Sequence, residues 1–246
     1  MSEDLLVRQD GPILRITINR PQDGNRVTDE MARELTDLLI GTTAPTRLIL
    51  LSSNGAEFSN GWTGPSNPPP PGGLEALAAK RQFDTVFNCY GAFRRAQVPV
   101  VGVVRGHARG FGCSAAALCD ITVAADTAKF QIPEMGFNVL PTMVMSSLID
   151  RVPAKALSYL VYTTEIIDAQ AALSVGIASK VVPEKDLDRH VEELCATLLK
   201  RPQAALQGVK EYVSVAANLP QGPAVDFARN LHATINTSHE LRPPKH

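Results

Sequence analysis

Apolar positions along this chain recur in two rhythms, one of period two and one of helical period, and their alternation predicts a mixed α/β fold. Leu5 to Arg8 and Ile13 to Asn19 are short runs, the second alternating through Leu14, Ile16 and Ile18. Asp10-Gly11-Pro12 between them favours a tight reversal, so the pair reads as a β-hairpin. Thr28 stands where it can cap a helix through Leu39, with Asp29 and Glu30 at the positive end and Met31, Leu35, Leu38 and Leu39 on one side. Arg47 to Ser53 is the next strand, and the strand-helix-strand order implies parallel pairing with helices packed on the sheet. A helical pattern returns from Leu74 to Ala96, with Leu77, Phe83, Phe87 and Tyr90 among apolar positions suited to wall a pocket. Val98 to Val104 is a β-branched run typical of a strand buried on both faces.

The stretch after that strand organises the chain. Gly106-His107-Ala108-Arg109-Gly110-Phe111-Gly112 leads into Cys113 to Leu118, a compact helix of mostly small residues, and then into a second strand and the carboxylate Glu134. Backbone N–H groups at such a helix start are unpaired and aligned with the helix dipole, so they can hold developing negative charge. The same segment also reads as a strand-to-helix turn that needs glycine only for its conformation. From Pro65 to Pro71 five residues are proline, which makes Thr63 to Gly73 a semi-rigid loop, placed to form the rim of a site. Downstream come the apolar segment Met143 to Ile149, a helix near Ala154 to Tyr162, an extended Val181-Val182-Pro183, and helices at Leu187–Lys200, Pro202–Ala217 and Gly222–Asn236.

Four segments in order carry a family resemblance: Asn19-Arg20-Pro21 with Asn25, Glu57-Phe58-Ser59-Asn60-Gly61-Trp62, Gly106 to Asp120, and Phe130-Gln131-Ile132-Pro133-Glu134. Together they resemble the crotonase (enoyl-CoA hydratase/isomerase) superfamily. The resemblance implies an α/β fold, a crotonase-like spiral of β-β-α units with a C-terminal helical trimerisation module. It divides the chain into an acyl-CoA-binding core, residues 1–185, and a helical oligomerisation module, residues 186–246, giving a homotrimer or hexamer.

The resemblance also implies a site. The thioester oxygen of an acyl-CoA would sit between the Trp62 and Phe111 backbone N–H groups, with Glu134 transferring protons beside it. Asn25, Arg26, Phe58, Asn60, Gly61, Gly110 and Gly112 would bind substrate. The main departure is Ser114, where hydratases of the family generally carry a second glutamate; a hydroxyl cannot take that acid-base role, although it can orient a water. One carboxylate still suffices to move a proton between two carbons of an enolate, so enoyl-CoA double-bond isomerisation is the expected reaction. Hydration or another crotonase reaction is one alternative, and a catalytically silent acyl-CoA-binding protein is another. Thr63 stands where the family often has Asp. Gln22, Asp23 and Gly24 replace a basic residue, and Ser238 to Arg242 replaces the family's usual basic and aromatic tail.

Charge and cysteine content narrow the partners. Lys and Arg total 24 against 25 Asp and Glu, which supplies no global field for nucleic acid or an acidic membrane. Cys89, Cys113, Cys119 and Cys195 have neither metal nor redox spacing, and with no leader-like or membrane-spanning apolar run they read as reduced thiols of a cytoplasmic protein. His107 lies in the glycine turn, while His190, His232, His239 and His246 fall on the helical tail without metal-binding pairs. The glycine spacing matches neither a dinucleotide fingerprint nor a P-loop, and Ser59 and Ser114 lack a nucleophile elbow. No metal and no separate cofactor are expected, coenzyme A entering only as part of the substrate.

Overall fold

The computed structural model describes residues 3–66 and 70–241. Pro68 and Pro69 of the proline-rich segment, and the tail with Arg242 and His246, lie outside the described residues. The chain opens with the hairpin its alternation predicts, strands β1 (Leu5–Asp10) and β2 (Ile13–Ile18) pairing antiparallel around Gly11, whose φ of +54° suits glycine. Helix α1 (Asp29–Ile40) starts where Thr28 accepts a hydrogen bond from the Met31 N–H at 3.2 Å. Its buried residues Met31, Ala32, Leu35 and Leu39 are the stripe expected from the sequence.

Strand β3 (Leu48–Ser53) then pairs parallel with β2. The single helix expected from Leu74 to Ala96 is two, α2 (Ala76–Arg81) and α3 (Asp84–Arg95). The break at Gln82 and Phe83 has a physical consequence: it leaves Leu77 63% exposed while α3 buries Val86, Cys89, Tyr90 and Phe93. Strand β4 (Val100–Val104) is buried at every position, as its unbroken apolar run requires.

The glycine turn contains a short strand of its own, β5 (His107–Arg109), before helix α4 (Phe111–Leu118). That helix starts two residues earlier than the small-residue run suggests, because Gly110 serves as its N-terminal boundary residue, with φ +48° and ψ −109°. All eight residues of α4 are buried, which explains their size. Strands β6 (Ile121–Ala125) and β7 (Lys129–Gln131) follow, then helices α5 (Thr142–Leu148) and α6 (Ala154–Thr163), strand β8 (Ile167–Asp168), helix α7 (Ala169–Ser174) and strand β9 (Lys180–Val182).

Two sheets result. The larger has the order β1-β2-β3-β4-β6-β9 and is parallel beyond the opening hairpin; the smaller has the order β5-β7-β8. The C-terminal helices α8 (Leu187–Leu199) and α9 (Gln203–Ala216) dock on this frame, and α10 (Gln221–Asn236) packs on α9. Lys210 of α9, 5% exposed, donates to Asp120 Oδ2 at 2.6 Å and to the Phe93 carbonyl at 3.0 Å. Buried lysines need such pairing, because an unpaired buried charge is strongly unfavourable. Among the described residues no helix is long and apolar enough to cross a membrane.

Candidate active site

Three chain segments far apart in sequence converge at one cavity of about 360 Å³. Asn60, Gly61 and Trp62 come from the loop after β3, Gly110 and Phe111 from the start of α4, and Pro133 and Glu134 from the turn after β7. Phe83, Phe87 and Tyr90 of the α3 region form one wall, and Phe137 with residues 139–144 form the facing side. The convergence is close: a Cβ added at Gly110 would stand 2.7 Å from Glu134 Oε1 and 3.9 Å from Gly61 Cα. Gly110 therefore has two reasons to be glycine, its positive φ and the carboxylate packed against its α-carbon.

Both expected N–H donors are free to serve the cavity. Val27 brackets Trp62 from the neighbouring chain, donating to the Gly61 carbonyl at 2.9 Å and accepting from the Thr63 N–H at 3.0 Å. In that pairing the Trp62 N–H points the other way, and among the described residues nothing accepts it. Phe111 is the first residue of α4, so its N–H has no intrahelical partner, and none is supplied from outside among the described residues. The helix dipole adds positive potential at that N–H.

Glu134 is half-buried, and its Oε2 has no hydrogen-bond partner among the described residues. Burial raises its carboxyl above the ordinary value, an effect only partly opposed by a bond to its own backbone N–H. Among the described residues no other carboxylate, lysine, arginine or histidine lines the cavity. Next to it, burial and then the Glu134 charge push the Cys113 thiol up to about 12, which leaves it inert as a nucleophile.

Ser114 is 0% exposed and does not line the cavity. Its Oγ makes no hydrogen bond of good geometry, although the Tyr90 phenol is near enough to be influenced by it; that phenol is raised above its ordinary value by burial. Tyr90 packs on Phe111 with ring centroids 5.4 Å apart. The side chain expected to orient a water is therefore sealed under an aromatic layer.

Four other residues expected to touch substrate do not reach the cavity. Asn25, wholly buried at φ +56°, uses Oδ1 for the Arg20 N–H and Nδ2 for the Asn54 and Glu57 carbonyls, so it ties two loops together. Arg26 is paired with Asp23 at 2.5 Å on the surface. Phe58 is a fully buried core residue. Gly112 lets α4 press against the preceding loop, since a Cβ there would lie 2.3 Å from the Ser59 carbonyl oxygen. Asn25, Phe58 and Gly112 therefore pack the frame of the site, while Arg26 stays on the surface. His107 is likewise part of the frame, its Nδ1 2.8 Å from Glu57 Oε2, which also accepts the His107 backbone N–H.

Two features escaped the sequence reading. Asp29, read as a helix-start acid, accepts from the Trp62 indole Nε1 at 3.0 Å and from the Ser66 N–H at 2.9 Å. The 137–144 side of the cavity was the other, and its signal was present: Phe137, Val139 and Leu140 are apolar yet fit no buried periodicity.

A layered α/β core thus brings Trp62 and Phe111, whose backbone N–H groups have no acceptor among the described residues, to the same cavity as the Glu134 carboxyl. Comparison with known proteins agrees. The enoyl-CoA hydratase/isomerase family profile matches residues 8–242, and the chain belongs to that family. It is 30% identical over 231 residues to the Mycobacterium leprae protein named "Probable enoyl-CoA hydratase echA8", covering 92% of this chain and 87% of that one. It is 27% identical to the crotonyl-CoA hydratase of Syntrophomonas wolfei, covering 94% and 87%. A Thermobifida fusca YX protein named as an enoyl-CoA hydratase and solved in complex with CoA superposes with a TM-score of 0.82 at 28% identity, over 94% of this chain and 92% of that one. An enoyl-CoA hydratase from Mycobacterium smegmatis superposes with a TM-score of 0.89 at 23% identity over 98% and 93%, a likeness of fold.

Proposed function

We propose that this chain isomerises enoyl-CoA thioesters, moving a double bond from the 3,4 to the 2,3 position. The Trp62 and Phe111 N–H groups take the thioester oxygen. Glu134 removes a proton from C2, the electron pair delocalises onto that oxygen as a dienolate, and the Glu134 carboxyl returns the proton to C4. One such backbone donor is typically worth about 10²–10³ in rate, because it is aimed at charge that develops only on the way to the transition state. The raised carboxyl suits a group that must both accept and return a proton near neutrality. CoA enters as part of the substrate, and no step needs a further cofactor.

The observation carrying this reading is that Glu134 stands alone. Hydration asks for a held water and a second acid-base group, and the side chain at that position is the sealed Ser114. The second reading, hydration, is favoured by the relatives named as enoyl-CoA and crotonyl-CoA hydratases. Assaying 3-hexenoyl-CoA for migration and 2-hexenoyl-CoA for hydration separates them: migration with little hydration is expected, and the reverse overturns the proposal. Binding without turnover of either supports the silent binder.

The division of the chain into a core, residues 1–185, and an oligomerisation module, residues 186–246, belongs to the same proposal. Supporting it, α9 and α10 leave Val209, Val213 and Val225 half or more exposed, or nearly so, beside an apolar groove of about 330 Å³. A trimer or dimer of trimers covers such a face. Sedimentation showing a stable monomer at micromolar concentration would rule it out. The four free, buried thiols accord with a cytoplasmic setting.

A further inference from the structure

The carboxylate of Asp29 takes no part in the proton transfers above, yet it is 5% exposed and fully committed. An acid in the first helical turn ordinarily serves its own helix, but here Thr28 already does the capping. Asp29 instead spends one oxygen on the indole N–H of Trp62, 33 residues away, and the other on the backbone N–H of Ser66, 37 residues away. Bonds to a carboxylate are stronger than neutral ones and hold their geometry better.

These two bonds join a third constraint. Val27, two residues before Asp29, already fixes the backbone on both sides of Trp62 through Gly61 and Thr63. Residues 27–29 thus hold the backbone, the side chain and the following turn of the 61–66 segment together. The indole so placed meets Phe83 edge to face, with centroids 5.9 Å apart and planes at 72°, and both rings line the cavity. A rotated indole would widen that wall, and loss of the Ser66 bond would loosen the turn that follows the Trp62 N–H.

We propose that Asp29 is a positioning residue: it locks the Trp62 indole as a cavity wall and thereby aims the Trp62 N–H at the thioester oxygen. The proposal rests on the reading of Trp62 N–H as an oxyanion donor, but the locking itself can be tested apart from it. Trp62 is the chain's one tryptophan, so its emission reports this contact directly.

The experiment compares wild type, Asp29→Ala, Asp29→Asn, Trp62→Phe and the Asp29→Ala/Trp62→Phe double variant, each first shown to be folded by circular dichroism. Emission of the tryptophan-containing proteins, acetoacetyl-CoA binding, and kcat and KM for 3-hexenoyl-CoA are measured. Asp29→Ala should shift the emission to longer wavelength in the free protein. It should lower kcat by about 10–100-fold, the scale expected for a misplacement of about 1 Å, with a smaller change in acetoacetyl-CoA affinity. Asp29→Asn keeps an acceptor for the indole and should recover most of both effects. The double variant should be no worse than the worse single one, since both remove the same contact. Wild-type emission and kcat in folded Asp29→Ala, or losses that multiply in the double variant, would overturn the proposal. If wild type turns over no enoyl-CoA, the functional reading fails, and an unshifted emission in Asp29→Ala then still counts against the lock while a shifted one upholds it.

Discussion

The two sides of the cavity are built in opposite ways. On one side, the loop ending at Trp62 and the start of α4 are tied down: Phe58 and Ser114 are 0% exposed, Gly112 sits against the Ser59 carbonyl, and Val27 grips Trp62 from both flanks. On the other, Phe137 is 74% exposed and Leu140 72%, on either side of an Asn138 in the left-handed region at φ +57°. The first side positions backbone dipoles, whose value depends on being fixed before charge develops. The second offers apolar area with few constraints, which suits contact with an acyl chain or with another subunit. Glu134 lies at the seam, one residue after Pro133 and at the head of the exposed side.

The largest effect should come from the seam. Glu134→Gln should reduce isomerisation by about 10²–10⁴-fold while acyl-CoA binding persists, because backbone donors hold the thioester. Unchanged turnover would remove Glu134 from the mechanism. The same variant carries a stability signature. A carboxyl whose folded pKa lies above its unfolded value favours the fold while protonated, and that advantage is lost as pH rises through the raised folded pKa. Wild type should therefore lose stability relative to Glu134→Gln over that rise, so thermal melts should show the variant equal or superior at neutral pH. A variant that melts lower at neutral pH than at acid pH by as much as wild type would show that another group is responsible.

Next in size is the rigid side. Gly110→Ala places a Cβ 2.7 Å from Glu134 Oε1 at a backbone conformation that L-residues rarely adopt, displacing carboxylate and donor at once. A fall in kcat of about 10–100-fold is expected, with KM changed less. Equal loss in kcat/KM through KM alone would mean that the glycine serves access instead.

Ser114→Glu tests the sealed position, and its effect should be on the ratio of reactions. A second carboxylate near Glu134 should raise at least one carboxyl and add a place for a water, so hydration of 2-hexenoyl-CoA should gain on isomerisation. Packing opposes the change by about 1–3 kcal/mol, so the ratio is meaningful only in a variant shown to fold and to bind acyl-CoA. A wild type that already hydrates efficiently and fails to isomerise would sink the argument from the missing glutamate.

The smallest effect belongs to the exposed side. Phe137→Ala and Leu140→Ala should alter KM across a series of acyl chain lengths by up to about tenfold and leave kcat for short chains nearly unchanged. A kcat loss for the shortest substrate as large as that of Gly110→Ala would erase the contrast between the two sides.

How far this was legible can be traced through single residues. The hairpin, α1 with its Thr28 cap, and the buried strand Val100–Val104 follow from local rules, because burial on one or both faces imposes a period that is written along the chain. The small-residue run alone starts α4 two residues late, since Phe111 has no small side chain but its position after Gly110 decides the helix. Asn25 looked like a ligand contact because both a ligand contact and a loop tie require a polar side chain at a fixed place in a motif. Only its three hydrogen bonds show which it is.

The sequence by itself determined the family, the opening hairpin, α1, the buried strand β4 and which residue types were available for chemistry, since those depend on neighbours a few positions apart and on motifs in fixed order. Tertiary structure decided what those residues face. Gly61, Gly110 and Glu134 are brought together only by parallel strand pairing, Ser114 is sealed only because Tyr90 arrives from another helix, and Asp29 finds Trp62 across 33 residues. Such meetings depend on crossover geometry summed over the whole sheet, and no local pattern in the chain records that sum.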